Sequence, residues 1–464
     1  MKTHLKQLVI LGAAYGVLAS GLTAAAADAN TPSDPSVAKA TDPQAPPPGP
    51  LTGLGHTLHD AGFDVRINFV NLYANASDFG FDPGHSGNFG FLMFDTTYHL
   101  SDMFKINWQE TVNIPRHNAN QYLFQVSNAF YATDPSLDSS TDLTRLTLQG
   151  DFFDGKLEVE GGRLNMWPEF FRSEFCGGKG CISQTRALVL SAPGNTVAQW
   201  GGRVGYNLTP DLSLGGVITE NNTENWQTGS GWNWGRGDSD GYTAVVHLAQ
   251  RQNFLETAKP LNYEIGGYRS SASYTDALYG TGWGNPTFGA NQTVIEHDGG
   301  SNGVFAQVRK VLWSDPDGTP FPENIAVSGG IFHTFGDGQS YPWEAYGSIE
   351  YGGFWKANPL TSIGATVHYI GLSEKRAQYE TNARRFLTGI YDRQPRDTFQ
   401  FDLHGRTGIG PAGFLEFGAS YVKDPNTTYL ADYSTSRMKN GWTIYAAIVF
   451  DLGTTLGLSP PPQP

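Results

Sequence analysis

Positive charge is scarce in this chain, and so is cysteine. Thirty Lys and Arg face 44 Asp and Glu over 464 residues, a formal net charge of −14. That balance excludes a nucleic-acid binder, which needs clustered Lys and Arg to displace counterions. Two cysteines exclude a disulfide-dense scaffold. No segment beyond the first thirty residues offers the 18 or more consecutive apolar residues of a membrane-spanning helix. Internal repeats are missing too, which argues against a propeller.

What the chain has instead is glycine and aromatics: 57 Gly, 28 Phe, 21 Tyr and 11 Trp. Together with the lack of a helical period, this composition predicts an all-β fold. The first 27 residues have the form of a secretory signal peptide, with Lys2 and Lys6 ahead of the apolar Leu8–Ala19 stretch and small residues at Ala24–Ala27. An export signal puts the rest of the chain outside the cytoplasm. Residues 28–50 form a Pro- and Ala-rich linker, 51–453 one large β domain, and 454–464 a tail. Leu54 to Gly62 is expected to make a short helix ahead of the first strand.

Strict alternation begins at Phe63. Phe63, Val65, Ile67 and Phe69 oppose Asp64, Arg66 and Asn68. Near the middle, Trp200, Val204 and Tyr206 oppose Arg203 and Gly205; after Thr209-Pro210-Asp211, Leu212, Leu214 and Ile218 resume the pattern. A period of two on both sides of a tight turn is a β-hairpin. In a soluble sandwich a second sheet would cover the apolar face, whereas in a membrane barrel lipid covers it and the polar face lines water. About 16 such segments follow one another between Phe63 and the end of the chain. Connections near 102, 154, 210, 357 and 411 are tight, and those near 128, 180, 230, 288 and 383 are long. An even strand number, with short turns on one rim and long loops on the other, predicts an outer-membrane antiparallel β-barrel.

The long loop from Asn165 to Pro193 holds Cys176 and Cys181. So close a pair in an exported chain predicts a disulfide at a loop tip, and one pair without nearby histidine is weak for metal. Gly299-Gly300-Ser301-Asn302-Gly303 matches a nucleophile-elbow pattern, but a strand is expected after it rather than the required helix. Asp402, His404 and Arg406 share one face of a strand and read as lumen lining rather than catalytic machinery. Arg145, Arg163 and Arg203 read as lumen candidates near the 165–193 loop, any of them free to pair with Glu158 or Glu160. Trp167 and Trp226, at strand ends, fit either sugar stacking or an interfacial aromatic belt.

Residues 152–164 (FFDGKLEVEGGRL), the Cys176 and Cys181 pair, and residues 199–222 (QWGGRVGYNLTPDLSLGGVITENN) resemble the carbohydrate-selective porin family, the OprB-type glucose porins. Weaker similarity continues in order through 261–276, 300–310, 324–339 and 354–375. The resemblance implies a 16-stranded outer-membrane barrel with an inward-folded constriction loop. Through it neutral sugars such as glucose, or polyols, would diffuse into the periplasm. It also implies a constriction arginine after the third strand, for which Arg116 in TVNIPRHNAN is the candidate. No cofactor and no enzymatic chemistry are expected, and carbohydrate solutes and lipid are the expected partners, with monomer and homotrimer both open. A general small-solute porin and a closed structural or adhesive barrel remain as alternatives. The chain departs from the family pattern at Ala192-Pro193, where the family has a tryptophan before the proline, and at Gly53 to His56, which lacks the family's Asp-Trp-Gly-Gly segment. Its terminal aromatic, Phe450, is also followed by 14 further residues.

Overall fold

The computed structural model describes residues 49–80, 83–115, 141–164, 198–221, 232, 239, 241–279, 295–316, 319–336, 339–410, 412–425 and 438–459. The order begins with α1 (Thr52–Asp60), β1 (Phe63–Ala76), β2 (His85–His99), β3 (Phe104–Pro115), β4 (Thr141–Phe152) and β5 (Leu157–Leu164). It continues with β6 (Gln199–Asn207), β7 (Leu212–Glu220), β8 (Tyr242–Gln250), β9 (Leu261–Ser270), β10 (Tyr274–Thr275) and β11 (Glu296–His297). Next come β12 (Ser301–Asp315), β13 (Glu323–Phe335), β14 (Trp343–Gly352), β15 (Ser362–Gly371), α2 (Glu374–Thr388), β16 (Asp397–Gly408), β17 (Gly413–Lys423), β18 (Gly441–Asp451) and α3 (Leu452–Leu456).

Sixteen of these strands close into one antiparallel barrel, with each strand paired to its sequence neighbour, β9 paired to β12, and β18 paired back to β1. β10 and β11 form a separate two-stranded sheet inside the connection from β9 to β12. The expected closure from 16 alternating segments is therefore the observed one. A barrel leaves no sheet edge unpaired, which is what a β-structure surrounded by lipid requires.

Its side chains are distributed inside out. Val246, Ile331, Leu403 and Ile444 are among the large apolar residues exposed on the outer face, while Gln199, Thr243, Glu264, His368 and Thr443 are buried on the inner one. Water could not cover such an outer wall cheaply, because each large apolar side chain gains about 1.5–3 kcal/mol on leaving it. β1 departs from the simple pattern. Beyond Asn68 its inner face turns apolar, and Val70 packs there with Phe91, Met93 and Val449.

The tight turns follow local chemistry. Between β6 and β7, Thr209 Oγ1 accepts from the Leu212 N–H at 3.0 Å and Leu208 N–H donates to the Leu212 carbonyl at 2.8 Å. Between β4 and β5, Phe153, Asp154 and Gly155 all take left-handed backbone, at φ of 56°, 57° and 76°. That conformation costs a phenylalanine about 1–2 kcal/mol.

Both ends of the barrel domain meet at this short-turn rim. Leu51 N–H donates to the Leu456 carbonyl at 2.8 Å, and a side chain on Gly55 would collide with the backbone of Gly457. Asp451 caps α3, accepting from the Thr454 N–H at 2.8 Å. The helix expected before β1 is thus present, while the boundary drawn at 453 falls inside α3. Near 383 the expected long loop contains α2, capped by Ser373 and ended by Gly389 at φ 73°.

Candidate functional site

On the lumen face of β3 to β6, charged side chains alternate in sign. Glu160 on β5 is 4% exposed and is held by three donors: Arg145 from β4 at 2.6 Å, Arg203 from β6 at 3.0 Å, and the Thr147 hydroxyl. Arg203 also pairs with Glu158. Toward the short-turn rim, Lys105 lies 3.1 Å from Asp151, and Asn107 donates to Gln149, which donates in turn to Asp151. The register makes this network possible, since Gln149 sits opposite Glu160 and Glu160 opposite Arg203. Arg145, Arg203 and Glu158 keep 18–35% of their side-chain surface open. Such pairs hold each other in place and still offer donors and acceptors to a passing solute.

The opposite wall is packed more tightly. His247 lies 2.7 Å from Glu264, and His368 2.7 Å from Glu344, with all four groups largely or fully buried. Gln307 adds a hydrogen bond to Glu264 at 2.9 Å. Two pairs near the short-turn rim, Arg309 with Glu350 at 3.3 Å and Arg406 with Glu416 at 3.0 Å, extend the accessible charged wall around the lumen. Nothing in the sequence had singled out the Lys105–Asp151 or Arg309–Glu350 pairs. The alternation places all four on polar faces, which signals their lumen position but not which of them pair.

Asp402 and His404 face the lumen, as expected, and lie 3.3 Å apart. The Ser420 hydroxyl donates to Asp402 rather than to His404, and Tyr445 donates to Asp402 at 3.2 Å. A nucleophile needs its base on the hydroxyl proton, and this arrangement points that proton at a carboxylate in a buried wall. After Gly299-Gly300 the strand β12 begins at Ser301, so the elbow pattern lies in a loop-to-strand junction.

Two of the arginine candidates, Arg145 and Arg203, converge on Glu160. Arg163 does not join them. The continuous register of β5 pairs Arg163 with Leu146 and Trp200, residues of the outer face, while Glu158 and Glu160 point inward. Parity explains this: Arg163 shares its face with Leu157 and Val159. There it lies 3.4 Å from Glu220 and 5.6 Å from the Trp200 ring, and it is 1% exposed. A neighbouring outer-face carboxylate, Glu110, accepts from the indoles of Trp108 at 3.3 Å and Trp232 at 2.9 Å. Arg116, Trp167, Trp226, Cys176 and Cys181 lie outside the described residues.

A family model described as "Carbohydrate-selective porin, OprB family" matches residues 107–453. Porin B of Pseudomonas aeruginosa is 27% identical over 277 residues, a match covering 57% of this chain and 58% of that relative, less than two thirds of its length. Among solved structures, the high-pH structure of Pseudomonas putida OprB superposes with a TM-score of 0.70 at 17% identity, covering 86% of this chain and 96% of that one. The low-pH structure of the same protein gives 0.51 at 13% identity, covering 86% and 95%. At these identities the two structures support the fold alone.

Proposed function

Because the chain belongs to the carbohydrate-selective porin family, we propose that it lets neutral sugars, hexoses such as glucose or polyols, diffuse across the bacterial outer membrane into the periplasm. The chain is an outer-membrane β-barrel, so the rim of tight turns and chain termini faces the periplasm and the long connections face outside. The observation that carries the proposal is the accessible wall of Arg145, Arg203 and Glu158, held together by the buried Glu160.

A sugar ring carries hydroxyls that both donate and accept, spread around its edge. Paired guanidinium and carboxylate groups suit it because charge-assisted hydrogen bonds are roughly twice as strong as neutral ones. The pairing also matters for release. A pore group must bind strongly enough to draw a solute in and weakly enough to let it leave. An arginine already bound to Glu160 offers its remaining N–H groups without presenting an uncompensated charge. This work needs no covalent step and no cofactor, and we read the chain as a channel rather than an enzyme.

Arg116 remains the proposed constriction arginine and Trp167 a pore-side candidate, with Cys176 and Cys181 the proposed disulfide of the 165–193 loop. The signal peptide at 1–27 and the linker at 28–50 keep their proposed roles. An apolar outer wall serves lipid and a neighbouring subunit equally, and chemical cross-linking in outer-membrane vesicles decides between monomer and homotrimer.

Liposome swelling with purified protein tests the proposal, using neutral sugars, polyols and amino acids graded by size. Saturable entry of a hexose ahead of an amino acid of equal size is the expected result. Entry ordered by size alone would make the barrel a general small-solute porin, and no entry of any solute would make it a closed structural barrel.

A further inference from the structure

On the extracellular rim, three successive connections are joined into one body over β9 and β12 to β15. The joint is Asp276, just after β10, which is 2% exposed. One of its oxygens accepts from the Leu278 and Tyr279 N–H groups at 2.8 and 3.1 Å. The other is met by His297 Nε2 from β11 at 3.0 Å and by Lys375 Nζ from α2 at 2.9 Å. The Tyr274 ring stacks on His297 at 4.8 Å, and its hydroxyl fills the space where Gly336 would otherwise carry a side chain. The third connection is tied in through the Ser373 N–H, which donates to the Ser340 carbonyl at 2.9 Å.

Beneath this body the inner face is closed to water. Tyr268, Thr334, Glu344 and His368 all point into the lumen, and none is more than 7% exposed. Side chains lining an open bore would be wetted, as Arg145 and Glu158 are on the opposite wall. The tied connections sit over these four sealed side chains.

We propose that Asp276 is a positioning residue for permeation: by binding His297 and Lys375 it holds the rim connections over the β9–β15 side of the mouth and so sets the upper size of sugar admitted. The inference rests on the porin reading. It limits the substrate class to sugars of monosaccharide size, with longer oligosaccharides held back at the mouth rather than at the charged wall. Breaking the joint leaves that wall untouched.

The experiment is liposome swelling with a hexose and a linear trisaccharide, for the wild type, Asp276→Asn, Lys375→Ala and Lys375→Arg. Losing one charge-assisted hydrogen bond corresponds to about a tenfold larger open population. The trisaccharide-to-hexose ratio is therefore expected to rise about tenfold in Asp276→Asn and Lys375→Ala, and to stay near wild type in Lys375→Arg. Arg393→Ala, which removes the exposed pair with Glu374 near the same helix, is expected to leave the ratio unchanged. Each variant is first checked for the folded barrel by its heat-dependent electrophoretic mobility. An unchanged ratio in folded Asp276→Asn and folded Lys375→Ala overturns the inference. Should Asp276→Asn not fold, the Lys375 pair of variants decides alone. Wild-type protein that admits no sugar overturns the porin reading itself, and the inference with it.

Discussion

Glu160 is a buried carboxylate that stays in a barrel wall only because Arg145, Arg203 and Thr147 all donate to it. An unpaired buried charge is costly, and a hydrogen bond to a charged group contributes about 1.5–3 kcal/mol. Arg203→Ala is accordingly expected to lower barrel stability by about 2 kcal/mol, seen as a lower temperature of conversion to the unfolded electrophoretic form. Hexose entry should fall with it. Arg163→Ala separates the two effects. It should also lower the conversion temperature, by removing the charged partner that lies 3.4 Å from Glu220, while hexose entry stays at the wild-type rate. Equal losses of entry in both variants would contradict the assignment of Arg163 to the outer face. In the sequence, Arg163 invited a lumen reading through its nearness to the 165–193 loop. Counting parity from Glu158 and Glu160 would have placed it correctly, because one residue of shift moves a side chain to the other face.

Strands were legible in the sequence where one face meets lipid and the other a polar lumen, since the two solvents impose opposite residue types at a spacing of two. β16 and β17 are the clearest cases, with Phe401 and Leu403 outside and Asp402 and His404 inside. Where the inner face itself turns apolar, as in β1 at Val70, Leu72 and Ala74, with Asn71 and Tyr73 on the outer side, the alternation no longer tells lumen from lipid. α2 was missed for a related reason. Its sequence, EKRAQYETNARRFLT, spreads charge over every face and shows no apolar stripe. Ser373 before it and Gly389 after it were nevertheless available as cap signals. The rim elements also carry a pH expectation. Burial would raise the Asp276 carboxyl, but the hydrogen bonds from His297, Lys375 and two backbone N–H groups outweigh it and hold it well below the ordinary carboxylate range. A depressed folded value means that its stabilising contribution is complete above the unfolded value of about 4 and is lost as the pH falls below it. Hydrogen exchange at residues 276–279, corrected for intrinsic rates, should show constant protection from neutral pH down to that value and weakening below it. Asp276→Asn should remove this dependence. At the short-turn rim, ending the chain at Asp451 deletes α3 and its bond to Leu51. Protease cleavage between residues 49 and 62 should then quicken while the barrel remains folded.

At the scale of the whole molecule, the barrel is a wall between two solvents. Its outer face follows lipid, and its inner face carries accessible charged pairs along β3 to β6 and near the short-turn rim of β12 to β17, with buried pairs such as His247–Glu264 and His368–Glu344 between them. The strand number and the alternation of short and long connections were readable because closure and membrane crossing constrain every segment alike. Cross-wall partners were not readable, since they depend on register between strands far apart in sequence, as with Arg309 and Glu350. The central claim is that sugar binds transiently to the charged lumen wall on its way through. Single-channel current in a planar bilayer, recorded while a neutral hexose is added, tests it most directly. Brief interruptions of the ion current are expected that grow with hexose concentration, saturate, and become rarer in Arg203→Ala but not in Arg163→Ala. A current that flows undisturbed at every hexose concentration would contradict it.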